Sequence, residues 1–298
     1  MIPAMSIYRL AERVQSGEVY LGSELQAFQG SVMRNVYMLQ TLRELAAARD
    51  REPLRILEIG SWAGGSALTW VEGLTRFNGR RGKVHCVDHW EVYVDLRSYG
   101  ATNPVSAIFQ KMIQAAASRQ ILPLFLHNLA SARADDLVVV IRGDSREVLP
   151  SLRPTRYDLI YVDGGHTYPI AHHDIRVSRE LLRSGGILCG DDLELELDQC
   201  DPEAARRSQD LEYSVDPRTG GYLHPGVTLA VAELVGPVSC WHGFWAARKT
   251  GSGFEKIDLD VGDLSIPRHF REAMDAGALP VPPEIEALYS RERAGRPG

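Results

Sequence analysis

An open, mostly parallel α/β sheet is the fold class this sequence predicts, and three observations carry the prediction. From Leu54 onward, short apolar runs alternate with helix-length segments, the rhythm of βαβ units. Each of those runs is followed within two residues by Gly or Asp, residues that turn a chain off a strand. Near the end, two further apolar runs flank His242-Gly243 as the arms of an antiparallel hairpin do. The sum is a doubly wound, Rossmann-like sheet of seven strands, closed by a C-terminal hairpin and preceded by helices.

Taken in order, residues 1–50 read as helical. Over 31–48, Val32, Val36, Leu39, Leu42 and Leu45 fall at three- and four-residue spacings, the apolar stripe of a helix. Arg51-Glu52-Pro53 breaks it. The five parallel strands are expected at 55–59, 83–87, 137–141, 157–162 and 186–189, and the hairpin at 238–241 and 244–248. Helices are expected at 66–74, 107–118, 170–182 and 227–235. Residues 92–136 are long enough to add further helices, and the polar stretch 192–224 suits a lid. The tail from Pro267, with Pro280, Pro282, Pro283 and Pro297, shows no strand pattern and either wraps the domain or frays.

Composition narrows the function classes. The chain has 298 residues, 33 basic and 39 acidic, a net charge of −6, with 44% hydrophobic and 24% charged residues. That is the mix of a soluble globular protein, and the acidic balance speaks against a nucleic-acid binder. No apolar run reaches the ~18–20 residues of a membrane-spanning helix, and MIPAMSIYRLAERV lacks a signal-peptide core. The four cysteines, Cys86, Cys189, Cys200 and Cys240, form neither a disulfide framework nor a C-x-x-C pair. A cytoplasmic, reduced protein with no nucleic-acid or membrane partner is the expectation. The N-terminal helices are a candidate homo-oligomer interface.

The first strand ends in Glu58-Ile59-Gly60-Ser61-Trp62, turns through Gly64-Gly65 and enters a helix at Ser66. Glycines allow positive φ or a close approach, and the helix start offers unpaired N–H groups to an anion. A dinucleotide-binding loop needs G-x-G-x-x-G, but Trp62 stands at the second glycine position, which weighs against NAD. The loop instead resembles motif I of class I S-adenosylmethionine-dependent methyltransferases, matched by Glu58, Gly60 and Gly64; there it cradles the cofactor's methionine part. The second strand ends in Asp88-His89, where a carboxylate accepts ribose hydroxyls. The third ends in Gly143-Asp144-Ser145, where that family contacts adenine.

The fourth strand ends in Asp163-Gly164-Gly165-His166 and the fifth in Asp191-Asp192. Neighbouring strands lie ~5 Å apart, so three carboxylates converge there, and they repel unless a cation sits among them. Oxygen ligands without thiolate favour Mg²⁺ or a similar divalent ion. His166, after two glycines that turn the loop, is a candidate general base, and His224 is a more distant candidate. Trp62, Trp90, Tyr93, Tyr99, Tyr168 and Tyr222 are candidate pocket aromatics, with packing as their ordinary role.

With Asp88-His89-Trp90 and Phe125-Leu126-His127-Asn128-Leu129, these motifs resemble the bacterial class I methyltransferases that include macrocin-type sugar O-methyltransferases and cephalosporin-hydroxylase-like proteins. The resemblance covers 54–250, leaving a helical segment 1–53 and a tail 251–298. It implies methyl transfer from S-adenosylmethionine to a hydroxyl of a small molecule: a natural product, a sugar or a catechol-like compound. In metal-dependent members the matching residues bind Mg²⁺ and the His is the base, which would place those roles on Asp163, Asp191, Asp192 and His166. Several members carry Glu-Asp where this chain has Asp191-Asp192. Two rival readings stand beside it: an NAD(P)-dependent oxidoreductase, and a non-catalytic cofactor-binding accessory protein.

Overall fold

The computed structural model describes residues 15–295 apart from 24, 29, 93–103, 153–155 and 252, and for 104–109 the backbone alone. Five parallel strands form its centre: β1 (Leu54–Ile59), β2 (Gly82–Asp88), β3 (Val138–Arg142), β4 (Tyr157–Val162) and β5 (Leu182–Gly190). A two-stranded hairpin, β6 (Ser214–Val215) and β7 (Tyr222–Leu223), lies in the segment after β5. The antiparallel end is β8 (Ser239–Trp241), β9 (Phe244–Lys249) and β10 (Phe254–Lys256). The order is β3-β2-β1-β4-β5-β9-β10, with β8 also paired to β9. The sheet therefore has eight strands, one more than the sequence suggests, because three-residue Phe254–Lys256 adds an outer partner to β9. The chain winds outward from β1 to β3, then returns to lay β4 on the other side of β1, so the order reverses between β1 and β4.

Alternate strand residues feed two cores. Ile56, Leu159, Tyr161, Ile187 and Cys189 face the helices Val32–Ala48 and Gly65–Asn78, while Leu57, Ile160 and Leu188 face the helices Tyr168–Leu181 and Pro225–Leu234. Burial on both faces is why these strands read as continuous apolar runs. The N-terminal helix runs Val32–Ala48 with Ser31 as its cap, and its stripe Val32, Val36, Leu39, Leu42 and Leu45 is buried. Leu42 packs so closely on the helix Gly65–Asn78 that a Cβ at Gly73 would run into it. That stripe is buried against the rest of the chain.

The tail wraps. Ile266, Phe270, Ile285 and Tyr289 are buried, and the Phe28 and Phe270 rings meet at 4.5 Å. His269, in the helix Arg268–Asp275, lies 2.9 Å from the Gly65 carbonyl at the start of the helix Gly65–Asn78. The segment over 92–136 supplies two helices, Pro104–Ala117 and Ile121–Ser131. Tyr93, Tyr99 and Pro297 lie outside the described residues. Among the described residues, no helix is long and apolar enough to cross a membrane.

Candidate active site

Open α/β sheets bind ligands where the strand order reverses, and here that point joins Gly60 to Asp163. Gly60 has φ +85°, and a Cβ on it would overlap the Asp163 carbonyl, so the two strand ends meet backbone to backbone. The Asp163 amide donates to the Ile59 carbonyl at 2.8 Å. Asp88 then fixes the loop to β2: its Oδ2 accepts from the amides of Ser61 (3.0 Å) and Trp62 (2.9 Å), and its Oδ1 from that of Trp90 (2.6 Å). The Trp62 indole donates to the Gln26 carbonyl at 2.7 Å, which turns it towards the N-terminal segment. Asn128 clamps the same segment: it bonds both backbone groups of Tyr20, at 2.7 and 3.0 Å, and the Ala63 carbonyl at 2.8 Å.

A cavity of about 820 Å³ runs along these strand ends. Gly60, Ser61, Trp62, Ser66, Asp88, His89, Asp144, Ser145 and Asp163 line it as the sequence predicts. Glu58 and Gly64 do not. Glu58 lies beneath the loop, fully buried, accepting from the Ser61 hydroxyl at 2.7 Å, and burial pushes its carboxyl up to about 7. It supports the loop rather than touching a ligand. Gly64 caps the following helix with φ 93°, against the Phe125 ring. The Asp144 carboxylate caps the helix Ser145–Ser151 and pairs with Arg146, whose hydrogen bonds hold it down at about 2. Of the candidate aromatics described, Trp62 lines the cavity. Trp90 packs on Phe125, Tyr168 donates to Glu233, and Tyr222 is exposed beside Tyr213.

At the β4 and β5 end stand Asp163, His166, Asp191, Asp192 and His224, with Phe28 and Arg34 from the N-terminal segment. Gly164 and Gly165 do not have positive φ. They are glycines because side chains there would press on Asp174 and Ile170. Arg34 supplies a cation to Asp191 and Asp192, though not to Asp163. Its Nη1 lies 2.9 Å from Asp191 Oδ2 and 3.0 Å from Asp192 Oδ1, its Nη2 2.9 Å from Glu194 Oε1, and its Nε donates to the His242 carbonyl at 2.6 Å. Burial alone would weaken the guanidinium's charge, but Asp191, Asp192 and Glu194 outweigh it and keep Arg34 firmly protonated. Burial pushes Asp191 up to about 6 against the pull of Arg34, and its Oδ1 has no partner. Burial and the neighbouring Asp191 and Asp192 push Asp163 well above the carboxylate range; its Oδ2 accepts from the Tyr161 hydroxyl at 3.0 Å.

His166 is boxed in. Its Nε2 lies 2.9 Å from Asp192 Oδ2, and its Nδ1 3.1 Å from Glu212 Oε2. Burial disfavours the charge, yet the two carboxylates prevail and raise the imidazole well above its ordinary value. A general base must offer a lone pair, and two carboxylates that favour the charged ring weigh against that role for His166. His224, edge-on to His166 at 4.7 Å, is held differently. Its Nδ1 lies 2.9 Å from Glu194 Oε2, and Nε2 bonds no described residue. Burial pushes Glu194 up, but the His224 contact outweighs it and keeps Glu194 ionised, so Nδ1 carries the donated proton. The segment 192–224 delivers Glu194 and Glu212 to these histidines.

A divalent ion among Asp163, Asp191 and Asp192 does not fit this arrangement. Arg34 already bridges the facing oxygens of Asp191 and Asp192, and the other oxygen of Asp192 serves His166. His166, Asp192 and His224 offer donor atoms within 4.8 Å of one another, but hydrogen bonds and the ring contact already join these groups. Arg34, Glu194 and Glu212 escaped sequence reasoning because Arg34 lies 158 residues before Asp192, with no local pattern linking them.

Residues 57–193 match the sequence family described as "Methyltransferase domain". Beyond that match, the O-methyltransferase ankF of Aspergillus thermomutatus is 25% identical over 173 residues, 56% of this chain and 59% of that protein. The chain thus spans less than two thirds of the length of that curated relative. Among solved structures, the O-methyltransferase NovP is similar in fold, with a TM-score of 0.50 at 14% identity over 73% of this chain and 80% of that one. Within the matched residues, the β1 loop and the ends of β4 and β5 all open into one cavity.

Proposed function

We propose that this chain is an S-adenosylmethionine-dependent O-methyltransferase acting on a hydroxyl of a small molecule. The observation that carries the reading is the continuity of one cavity from the Gly60–Ser66 loop and Asp88 to the His166–His224 pair. The loop residues Gly60, Ser61 and Ser66 would hold the amino-acid end of the cofactor, Asp88 the ribose, and the corner of His89 and Ser145 the base. The donor set fits: a glycine backbone stripped of Cβ, a helix start and a strand-end carboxylate suit a zwitterion joined to a nucleoside. When bound, S-adenosylmethionine supplies an electrophilic methyl group, which the acceptor oxygen takes as sulfur departs with the bonding pair.

The chain's own work is proton removal and placement. His224 Nε2 takes the acceptor's proton, and Glu194 holds Nδ1–H and balances the imidazolium that forms. Phe28 and Ala27, in the segment strapped to the loop through Gln26, line the cavity and would narrow the acceptor side and limit water. No step is routed through a metal ion.

Incubation with S-adenosylmethionine and a panel of sugars, catechols and hydroxylated natural products tests the activity. A gain of one methylene in acceptor mass, with S-adenosylhomocysteine formed in equal amount, is the expected result. Bound cofactor without turnover over a broad panel would favour the accessory-protein reading. Binding of a nicotinamide cofactor in its place would favour the oxidoreductase.

A further inference from the structure

We infer that Arg34 is the resident cation of this active edge, occupying the place among Asp191 and Asp192 that a divalent ion would need, so that the site works without one. The inference rests on the O-methyltransferase reading for its consequence, but its geometry stands alone. Three acidic side chains, Asp191, Asp192 and Glu194, converge on one guanidinium at 2.9 to 3.0 Å. Arg34 is the third residue of the helix Val32–Ala48, whose neighbours Val32, Met33 and Val36 are buried in the core, so the helix cannot turn the guanidinium away without unpacking. The Nε bond to the His242 carbonyl fixes the plane of the fork from the β8–β9 turn. Only a small neighbour leaves room for this reach: a Cβ at Gly243 would collide with the guanidinium.

The guanidinium suits the task chemically. It is permanently charged and planar, and its fixed fork serves several carboxylates at once, where a lysine ammonium would act as a point charge. A dication placed between Asp191 and Asp192 would have to eject it, leaving a buried charge unpaired at a cost of roughly several kilocalories. Arg34 therefore neutralises the acidic edge, orients Asp192 towards His166 and Glu194 towards His224, and ties the N-terminal helix to the reaction centre. It is a positioning residue, acting through Glu194 on the histidine that takes the proton.

Manganese titration followed by electron paramagnetic resonance tests this on the full chain, with loss of the free-ion signal as the readout. The wild-type protein should show no saturable Mn²⁺ binding up to about 1 mM, the weak end of the range for oxygen-ligand sites. Arg34→Ala leaves the carboxylates without a partner and should bind one Mn²⁺ at least tenfold more tightly than wild type. One Mn²⁺ bound tightly by wild type and lost in Asp192→Asn overturns the inference. So does a folded Arg34→Ala protein that binds none. The wild-type titration needs no variant, so a variant that fails to fold leaves the test in place. S-adenosylhomocysteine calorimetry on the same preparation reads the methyltransferase assignment separately, since absence of Mn²⁺ binding with intact cofactor binding supports the metal-free site while absence of cofactor binding sinks the other reading.

Discussion

Glu58→Gln is the perturbation whose magnitude the structure defines best. The carboxyl sits at about 7 in the folded chain against 4.5 for the ordinary group, because no water reaches it and hydrogen bonds from Ser66 and Ser61 compensate only in part. Its Oε1 has no partner at all. A carboxyl raised on folding is neutral in both states below pH 4.5 and contributes its full stability there; that stability is lost as pH rises through 7. The gap of about 2.5 pH units corresponds to roughly 3 kcal/mol of destabilisation at pH 8. Glutamine cannot ionise. Its buried amide carries a penalty of about 1–3 kcal/mol, but that penalty does not change with pH. Urea unfolding at pH 5 and pH 8 should therefore show the variant gaining about 3 kcal/mol on wild type between the two conditions, the other titrations cancelling in the difference. A difference that stays flat across that range would refute the reasoning.

His269 carries the opposite sign. Burial lowers it to about 3, so it is neutral when folded, and stability present above pH 6.5 is lost as pH falls; His269→Asn should flatten the acid limb by about 3 kcal/mol near pH 4.5, measured by denaturation. His224→Asn keeps a donor for Glu194 but removes Nε2, so kcat should fall about 10²- to 10⁴-fold while S-adenosylhomocysteine affinity holds; an unchanged kcat would move the base elsewhere. Gly60→Ala puts a methyl group into the Asp163 carbonyl at a positive φ, and should abolish cofactor binding in calorimetry and lower the thermal midpoint.

The strands were legible because burial on both faces leaves little room for polar residues, and Tyr157–Val162 and Leu54–Ile59 appear in the structure within a residue of their expected places. The strand ends were legible for a related reason: Gly60, Asp88, Asp163 and Asp191 sit where each parallel strand must hand over to a turn, and topology then gathers those turns at one edge. Short pieces were not. Ser214–Val215 and Tyr222–Leu223 have two residues each, too few for any period, and two of the three residues in Phe254–Lys256 are charged. The partners of the site were hidden by distance along the chain. Nothing near Arg34 announces that it meets Asp191, and nothing near His166 shows Glu212 closing on its second nitrogen. His269 reads as an ordinary tail residue until the fold sets it on the Gly65 carbonyl. Residue type singled out His166, whereas the fold leaves Nε2 of His224 as a nitrogen that bonds no described residue.

The central claim is that the loop after β1 and the end of β2 hold S-adenosylmethionine. Isothermal titration of S-adenosylhomocysteine into the wild-type chain tests it most directly. One site per chain with Kd in the range of about 1–100 µM, lost in Gly60→Ala, is the expected result. A folded wild-type protein that takes up no S-adenosylhomocysteine, or that binds a reduced nicotinamide dinucleotide in the same cavity instead, would contradict it.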